Sequence, residues 1–207
     1  MKAFVFAAGS YYGLPELPSP GDWIVAADAG YDFCRSVGFR PDLVVGDFDS
    51  SDEPKGETVL RLPVEKDDTD TLHALRLGLE RGCRDFVIYG GTGGARPDHT
   101  LANLQCLLFL AEHGARGRLY GDGVVWRVLS RERLDFPDSE RGTLSLFCLS
   151  GEARGVTLRG LKYNMERGMI RSDFPIGVSN SFVGQAASVE VEEGSLLMMT
   201  EIYEEEA

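Results

Sequence analysis

Strand and helix patterns alternate along the first 120 residues, and this alternation limits the fold more than any other feature. Apolar strand patterns cover 2–7, 23–27, 43–45, 58–62 and 86–89, and helical patterns cover 30–37, 69–81 and a segment that ends at His113. Strands that are joined through helices form crossover units, which build a mainly parallel sheet. We therefore predict an α/β fold with a Rossmann-like parallel-sheet domain over residues 1–121.

The pattern changes after Tyr120. Short runs of alternating apolar and polar residues are separated by Gly, Pro and Asp, and these runs are VVWRVL, TLSLFCL, GVTLRGL, ASVEVEEG and SLLMMTEI. No segment after His113 has a helical pattern. Such spacing is typical of an antiparallel sandwich or a small barrel. We predict a C-terminal all-β domain, residues 122–207.

Composition excludes several classes of partner. The chain has 33 acidic and 21 basic residues and a net charge of −12, which argues against nucleic acid or an anionic membrane as partner. No apolar run approaches the ~20 residues of a membrane span. The four cysteines are scattered, without zinc or disulfide spacing, and the N-terminus is too short for a signal peptide. We expect a cytoplasmic protein.

Acidic residues concentrate in two motifs, PDLVVGDFDSSD at 41–52 and EKDDTD at 65–70. Asp47 and Asp49 follow a buried strand, and Asp70 stands at the entrance of the helical pattern that Thr69 begins. Two like charges ~4 Å apart repel by roughly 4 kcal/mol at an effective dielectric of ~20, so gathered carboxylates need a cation. Oxygen ligands suit Mg²⁺. The alternative is a solvated acidic loop, but these acids stand at a strand end, where α/β proteins bind ligands.

A glycine-rich motif, YGGTGGARPDHTLAN at 89–103, follows a strand and opens a helix. Its glycines let the backbone approach a ligand, and a helix N-terminus attracts anions. Arg96 offers a guanidinium fork to a phosphate. Asp98 is either functional or a helix cap, and the turn Asp28-Ala29-Gly30 is either a nucleotide contact or a cap.

The C-terminal half contains one further candidate group, SNSF at 179–182. Ser179 and Asn180 are either ligand contacts or turn residues. Phe182 either stacks on an aromatic ligand or belongs to the core.

In order along the chain, AADAG, PDLVVGDFDS, EKDDTD, GGTGGARPDHTLAN, GVTLRGLKY and SNSF resemble the thiamine pyrophosphokinases. The resemblance implies an α/β catalytic domain with a C-terminal β-sandwich that binds thiamine. It implies transfer of pyrophosphate from ATP to thiamine, giving thiamine diphosphate and AMP, with Mg²⁺. It also implies a homodimer in which each thiamine site lies between the catalytic domain of one subunit and the β-domain of the other.

Site residues are carried over by motif. The resemblance implies metal binding by Asp47, Asp49 and Asp70, and catalytic roles for Asp49, Asp70, Arg96 and Asp98. The implied nucleotide contacts are Asp28, Gly30, Thr69, Thr92, Gly93 and Arg96. The implied thiamine contacts are Asp98, Ser179, Asn180 and Phe182. Either Asp70 or Asp98 would accept the hydroxyl proton.

Two other classes of function compete with this interpretation. One is a haloacid-dehalogenase-type phosphatase, whose first motif is similar to Asp47-Phe48-Asp49-Ser50-Ser51. That family carries the motif on its first strand, and a phosphatase of this type would give the glycine loop and the β-domain of this chain no role. The second alternative is a non-catalytic nucleotide- or metal-binding module.

Overall fold

The fold was obtained as a computed structural model, which describes residues 1–48, 54–63, 65 and 67–202. The chain forms two compact units, Met1–Asp122 and Gly123–Ala207, called unit 1 and unit 2 below.

The described residues of unit 1 form a six-stranded, wholly parallel sheet. Its strands are β1 (Lys2–Phe6), β2 (Trp23–Ala27), β3 (Leu43–Gly46), β4 (Val59–Arg61), β5 (Asp85–Tyr89) and β6 (Arg116–Tyr120). The order across the sheet is β6-β5-β1-β2-β3-β4. Successive strands therefore run outward from β1 in one direction and then outward from β1 in the other. This reversal leaves a crevice beyond the carboxyl ends of β1 and β5.

In the part of unit 1 that the structure describes, three helices connect these strands: α1 (Gly30–Ser36), α2 (Asp70–Glu80) and α3 (Pro97–Glu112). The Thr69 side chain caps α2 by accepting a hydrogen bond from the Leu72 N–H at 3.2 Å. Proline occupies the first position of α3, where its missing N–H costs nothing, and Gly114 follows the helix at a φ of +68°.

The helices of unit 1 cover both faces of its sheet. Cys34 of α1 packs in one cluster with Phe4 and Phe6 of β1. On α2, Gly78 lies against Phe86 and Trp23, and a Cβ there would come within 2.6 Å of the Phe86 ring. Phe86 and Trp23 stand opposite Ala3 in the strand register, and neighbouring residues on a strand point to opposite faces. The sheet is thus buried on both sides.

A cluster of charged groups fixes the long loop between β1 and β2. The Glu16 carboxylate accepts hydrogen bonds from Lys2 Nζ at 2.7 Å, Arg118 Nε at 2.5 Å and Tyr120 Oη at 2.8 Å. The Glu16 main chain also brackets the Tyr89 hydroxyl, which accepts from its N–H and donates to its carbonyl. Burial alone would raise the pKa of Glu16, but the bonds from Lys2, Tyr120 and Arg118 hold it below its ordinary value of 4.5.

Replacing Glu16 with glutamine is expected to lower the free energy of unfolding by about 1–3 kcal/mol at neutral pH, because charged hydrogen bonds are lost at a site only partly open to solvent. A lowered folded-state pKa gives stability that is present above about pH 4.5 and lost as the pH falls through the folded-state value. Denaturant unfolding followed by circular dichroism between pH 3 and pH 7 measures both effects.

The matched control is Glu166→Gln, which breaks an ion pair with Arg159 whose side chains are 60% and 66% exposed. That variant should change stability by less than ~0.5 kcal/mol. Equal losses from the two variants, or an unchanged acid limb in Glu16→Gln, would contradict the assignment.

The described residues of unit 2 form eight antiparallel strands in two sheets. The strands are β7 (Val124–Ser130), β8 (Arg133–Phe136), β9 (Thr143–Cys148), β10 (Glu152–Arg159), β11 (Met165–Arg171), β12 (Asn180–Ser181), β13 (Ala187–Glu190) and β14 (Ser195–Glu201). One sheet has the order β12-β9-β14-β7 and the other β11-β10-β13-β8. Buried residues of both sheets, such as Leu144 and Met198 from the first and Val156 and Val189 from the second, form one core cluster.

These features confirm a mixed α/β protein that carries a separate antiparallel sheet region after its parallel sheet. Among the described residues, none of the helices combines the length and the apolarity required for a membrane span. All four cysteines are free and buried.

Candidate active site

A cleft of about 900 Å³ lies at the carboxyl end of the unit 1 sheet, beside the reversal at β1 and β5. Its walls come from the loops that follow β1, β2, β3 and β5 and from the first turns of α2 and α3. This volume suits a small-molecule ligand.

The floor of the cleft is made by two loops that are bonded to each other. Ser10 N–H donates to the Thr92 carbonyl at 2.8 Å, and Gly9 N–H donates to the Gly90 carbonyl at 2.7 Å. A Cβ on Gly9 would lie 2.5 Å from the Gly90 carbonyl oxygen, so no larger residue fits. Sequence reasoning missed this contribution of the first loop. A signal was present, since Ala7-Ala8-Gly9 directly follows the central strand.

The acidic wall begins with Asp28, which follows β2 at a φ of +49°. A Cβ on residue 46 would lie only 2.5 Å from the Asp28 Oδ1. Because residue 46 is glycine, the Asp28 carboxylate can lie across the end of β3. Asp47 lines the cleft next, and Phe48 has a φ of +53°. Asp28 after β2 and Phe48 after β3 are thus both non-glycine residues with positive φ. Such strained backbone is kept only where the surrounding structure holds it in place. Asp49, predicted as a metal ligand and catalytic residue, lies outside the described residues.

The opposite acidic wall is the start of α2, where Asp68, Thr69 and Asp70 line the cleft. Asp68 is balanced by two neighbours: Arg76 Nη1 donates to its Oδ2 at 3.2 Å, and His73 Nδ1 lies 3.4 Å from the same atom. The Thr69 hydroxyl caps α2, so Thr69 has a structural role in addition to its place in the cleft wall.

Five described carboxylates line the cleft, those of Asp28, Asp32, Asp47, Asp68 and Asp70, whereas Arg96 is its single described Lys or Arg lining residue. Within the described ranges no group of three acidic, His or Cys residues is preassembled for a metal ion. The predicted ligand set includes Asp49, so its described members are Asp47 and Asp70, and both line the cleft. Magnesium is commonly held by one or two carboxylates together with substrate phosphates, and this donor chemistry fits such an arrangement.

The glycine loop after β5 bends into the cleft through positive φ angles at Gly90, Gly93 and Gly94, of +65°, +70° and +76°. Gly93 and Gly94 line the cleft, whereas Thr92 bonds to the first loop through its carbonyl. Gly30 lies behind the site, not on its lining. A Cβ there would come within 2.0 Å of the Phe6 carbonyl oxygen, so Gly30 allows α1 to begin close against β1.

Arg96 and Asp98 form a two-pronged ion pair at the start of α3. Arg96 Nη2 donates to Asp98 Oδ2 at 2.7 Å and Nε donates to Oδ1 at 3.0 Å. The hydrogen bond from Arg96 lowers the pKa of Asp98 to about 2. Arg96 lines the cleft, and both side chains are more than 60% exposed, so the pair can open to other partners.

The candidate substrate residues of unit 2 have different environments. Ser179 is exposed, with a φ of +61° and its N–H bonded to Ser145 Oγ at 3.0 Å. Asn180 is buried and clamps the turn before β11, because its amide bonds both the N–H and the carbonyl of Tyr163, at 2.9 and 2.7 Å. Phe182 is 7% exposed and meets Phe136 edge-on in the unit 2 core. Their contact with a ligand stays a prediction.

Comparison with known proteins identifies both halves of the chain. Residues 14–116 match the family model described as the thiamin pyrophosphokinase catalytic domain. Residues 131–196 match the model described as the thiamin pyrophosphokinase vitamin B1 binding domain. A curated thiamine pyrophosphokinase of Bacillus subtilis is 27% identical over 212 residues, which span 96% of this chain and 98% of that protein.

Solved structures agree. A thiamin pyrophosphokinase family protein from Enterococcus faecalis aligns with a TM-score of 0.83 at 27% identity, over 99% of this chain and all of that one. The B. subtilis thiamine pyrophosphokinase structure aligns with a TM-score of 0.87 at 24% identity, over 98% and 99% of the two chains, and shows the same fold. These matches favour the pyrophosphokinase interpretation over the phosphatase and the binding module. The chain belongs to the thiamine pyrophosphokinase family.

Proposed function

We propose that the cleft of unit 1 binds ATP and transfers its terminal pyrophosphoryl group to thiamine, so that unit 1 is the catalytic domain and unit 2 the thiamine-binding domain. The observation that carries the assignment is a single cleft in which a glycine loop, an arginine and several carboxylates converge at the strand reversal. The parallel sheet with helices on both faces supports a Rossmann-like description of unit 1. The core shared by two antiparallel sheets supports a sandwich description of unit 2.

The reaction needs position and charge neutralisation more than covalent help. The hydroxyethyl oxygen of thiamine attacks the β-phosphorus of ATP, the bond from that phosphorus to the α-phosphate oxygen breaks, and AMP leaves. The proton of the hydroxyl group must pass to a base. Main-chain N–H groups of the glycine loop and the Arg96 guanidinium would stabilise the charge on the transferring group.

The carboxylates of the cleft cannot hold a polyphosphate by themselves, because their charge has the same sign. We propose that Asp47, Asp49 and Asp70 would hold Mg²⁺, which would offset the phosphate charge of bound ATP. Asp28, with the glycine-loop residues Thr92 and Gly93 and the α2 cap Thr69, would surround the nucleotide. Gly30 would contribute by allowing this close packing.

The two candidate bases differ in availability. Asp98 is a weak base while Arg96 holds its pKa near 2. The phosphates of ATP would compete for the same guanidinium fork, and a released Asp98 would return toward its ordinary pKa of 3.8. Asp98 is not among the residues that line the cleft, whereas Asp70 lines it, so we propose Asp70 as the proton acceptor. Asp98 then offers its negative charge to the cationic thiazolium ring.

We also propose a homodimer with a composite site. Unit 2 exposes a series of large apolar side chains between residues 163 and 183, with exposed fractions of 43–62%: Tyr163, Met169, Phe174, Ile176, Val178 and Val183. Exposed apolar side chains that are contiguous on a surface are typical of an interaction site, and we propose that these form one. The exposed Ser179 lies inside this segment, so a partner bound there would place it at the interface, with the buried Asn180 next to it in the chain. We separately propose a cytoplasmic location, because all four cysteines are free thiols and reducing compartments keep thiols free.

One assay tests the proposed function. The protein is incubated with ATP, Mg²⁺ and thiamine, and the products are separated by anion-exchange chromatography. Formation of AMP and thiamine diphosphate in equal amounts is expected. Free phosphate without AMP would instead indicate a phosphatase, and tight ATP binding without turnover would indicate a binding module.

A further inference from the structure

Three successive carbonyl groups of the glycine loop accept hydrogen bonds from other parts of unit 1. Gly90 and Thr92 accept from the main chain of the loop after β1. The carbonyl between them, that of Gly91, accepts from the Asn103 side-chain amide, whose Nδ2 lies 2.9 Å away. The sequence patterns gave Asn103 no role.

The Asn103 side chain reaches this carbonyl from within α3. It lies on the second turn of the helix, is 5% exposed and lines the cleft. A carbonyl oxygen can only accept a hydrogen bond, so the amide must present its NH₂ group to Gly91. A buried amide that satisfies a buried carbonyl is costly to remove, because the partner is then left without a donor.

These contacts decide which main-chain groups the loop can offer to a ligand. With three carbonyls bonded inward, the loop does not present those oxygens to an anion. In the ranges that the structure describes, the N–H groups of Gly93 and Gly94 donate to no protein acceptor. Glycine peptides rotate easily, so a Gly91 carbonyl without its partner can turn toward the cleft and repel a phosphate.

We propose that Asn103 is a positioning residue of the nucleotide site, which holds the Gly91 carbonyl away from the phosphates so that the loop presents N–H groups to them. This inference rests on the proposed function of the same cleft. It assigns Asn103 no contact with thiamine and no part in proton transfer. Its loss should therefore act on ATP and spare thiamine.

The test is Asn103→Leu, which keeps a side chain of similar size but removes the donor. Isothermal titration with ATP and Mg²⁺ should give a dissociation constant about 10- to 100-fold higher than in the wild-type protein, as expected when a buried carbonyl loses its partner. In steady-state assays the KM for ATP should rise by a similar factor, while the KM for thiamine stays within about twofold.

The control is Cys106→Ala, a buried position one turn further along α3 with no bond to the loop. It reports the effect of weakened helix packing alone. The titration separates the two effects, because stoichiometry reports the folded fraction and the dissociation constant reports the geometry of the site. If Asn103→Leu does not fold, Asn103→Ser is measured instead, since its hydroxyl is too short to reach Gly91.

An ATP dissociation constant within twofold of wild type in the folded Asn103 variant would overturn the proposal, as would an equal weakening by Cys106→Ala. So would equal increases in the KM values for ATP and thiamine. Failure of the proposed function is seen separately: the wild-type protein would then form no AMP with thiamine.

Discussion

Replacing Asp70 with asparagine should lower kcat for thiamine diphosphate formation by about 10²–10³-fold, equivalent to ~3–4 kcal/mol of transition-state stabilisation. The substitution preserves shape but removes a negative charge from the first turn of α2, where the side chain faces the cleft. A neutral amide binds Mg²⁺ more weakly and cannot accept the hydroxyl proton. The helix itself loses only about 0.3–1 kcal/mol, so the protein should remain folded.

The matched control is Asp68→Asn, two residues away in the same cleft. It makes the same change of charge, but Asp68 already forms an ion pair with Arg76. We expect its kcat to fall by less than about tenfold. Initial rates at several Mg²⁺ concentrations, with circular dichroism to verify folding, measure both variants. Equal losses would mean that the cleft needs only its total charge, and a near-wild-type rate in Asp70→Asn would remove Asp70 from the mechanism.

The elements of unit 1 were predictable because each follows from a local pattern. Strand β2 was predicted at the observed residues, and α2 differs by one residue at each end, since Thr69 is its cap and not its first helical residue. The acids at 47 and 70 were predicted to belong to one metal site because the acidic motifs stand at a strand end, where α/β proteins bind ligands. Both line the observed cleft.

Sequence-based prediction was weakest for elements whose local residue pattern does not show which side chains are buried. In unit 2 the strands β8 and β11 are the edges of their sheet and carry charged, exposed side chains, so their apolar alternation is hidden. The contribution of Gly9 depends on its distance from Gly90, which lies 81 positions later. Asn103 likewise acts through a long-range bond that no spacing rule describes.

Long-range contacts also change how the candidates of unit 2 should be understood. From the sequence, Phe182 was either a core residue or a residue that stacks on a ligand. In the structure Phe182 lies in the core against Phe136. Asn180 holds the main chain of Tyr163, a residue that is 60% exposed. A loss of activity in an Asn180 variant would therefore include displacement of the Tyr163 turn.

The proposed composite site makes a prediction about mixtures of inactive proteins. In Asp70→Asn the cleft of unit 1 is damaged and unit 2 is intact, whereas in Asn180→Ala the reverse holds. If each thiamine lies between unit 1 of one subunit and unit 2 of the other, a heterodimer contains one doubly damaged site and one intact site. Random pairing puts about half of the chains in heterodimers and so restores about a quarter of wild-type sites.

The experiment refolds the two variants together, isolates the heterodimer through two different affinity tags, and measures AMP formation per site. The purified heterodimer should reach about half of wild-type activity, because one of its two sites is intact. Each variant refolded alone is the control for spontaneous recovery, and circular dichroism verifies that Asn180→Ala keeps its β structure. A heterodimer as inactive as its parents would show that thiamine binds within one subunit, because every subunit then carries one of the two defects.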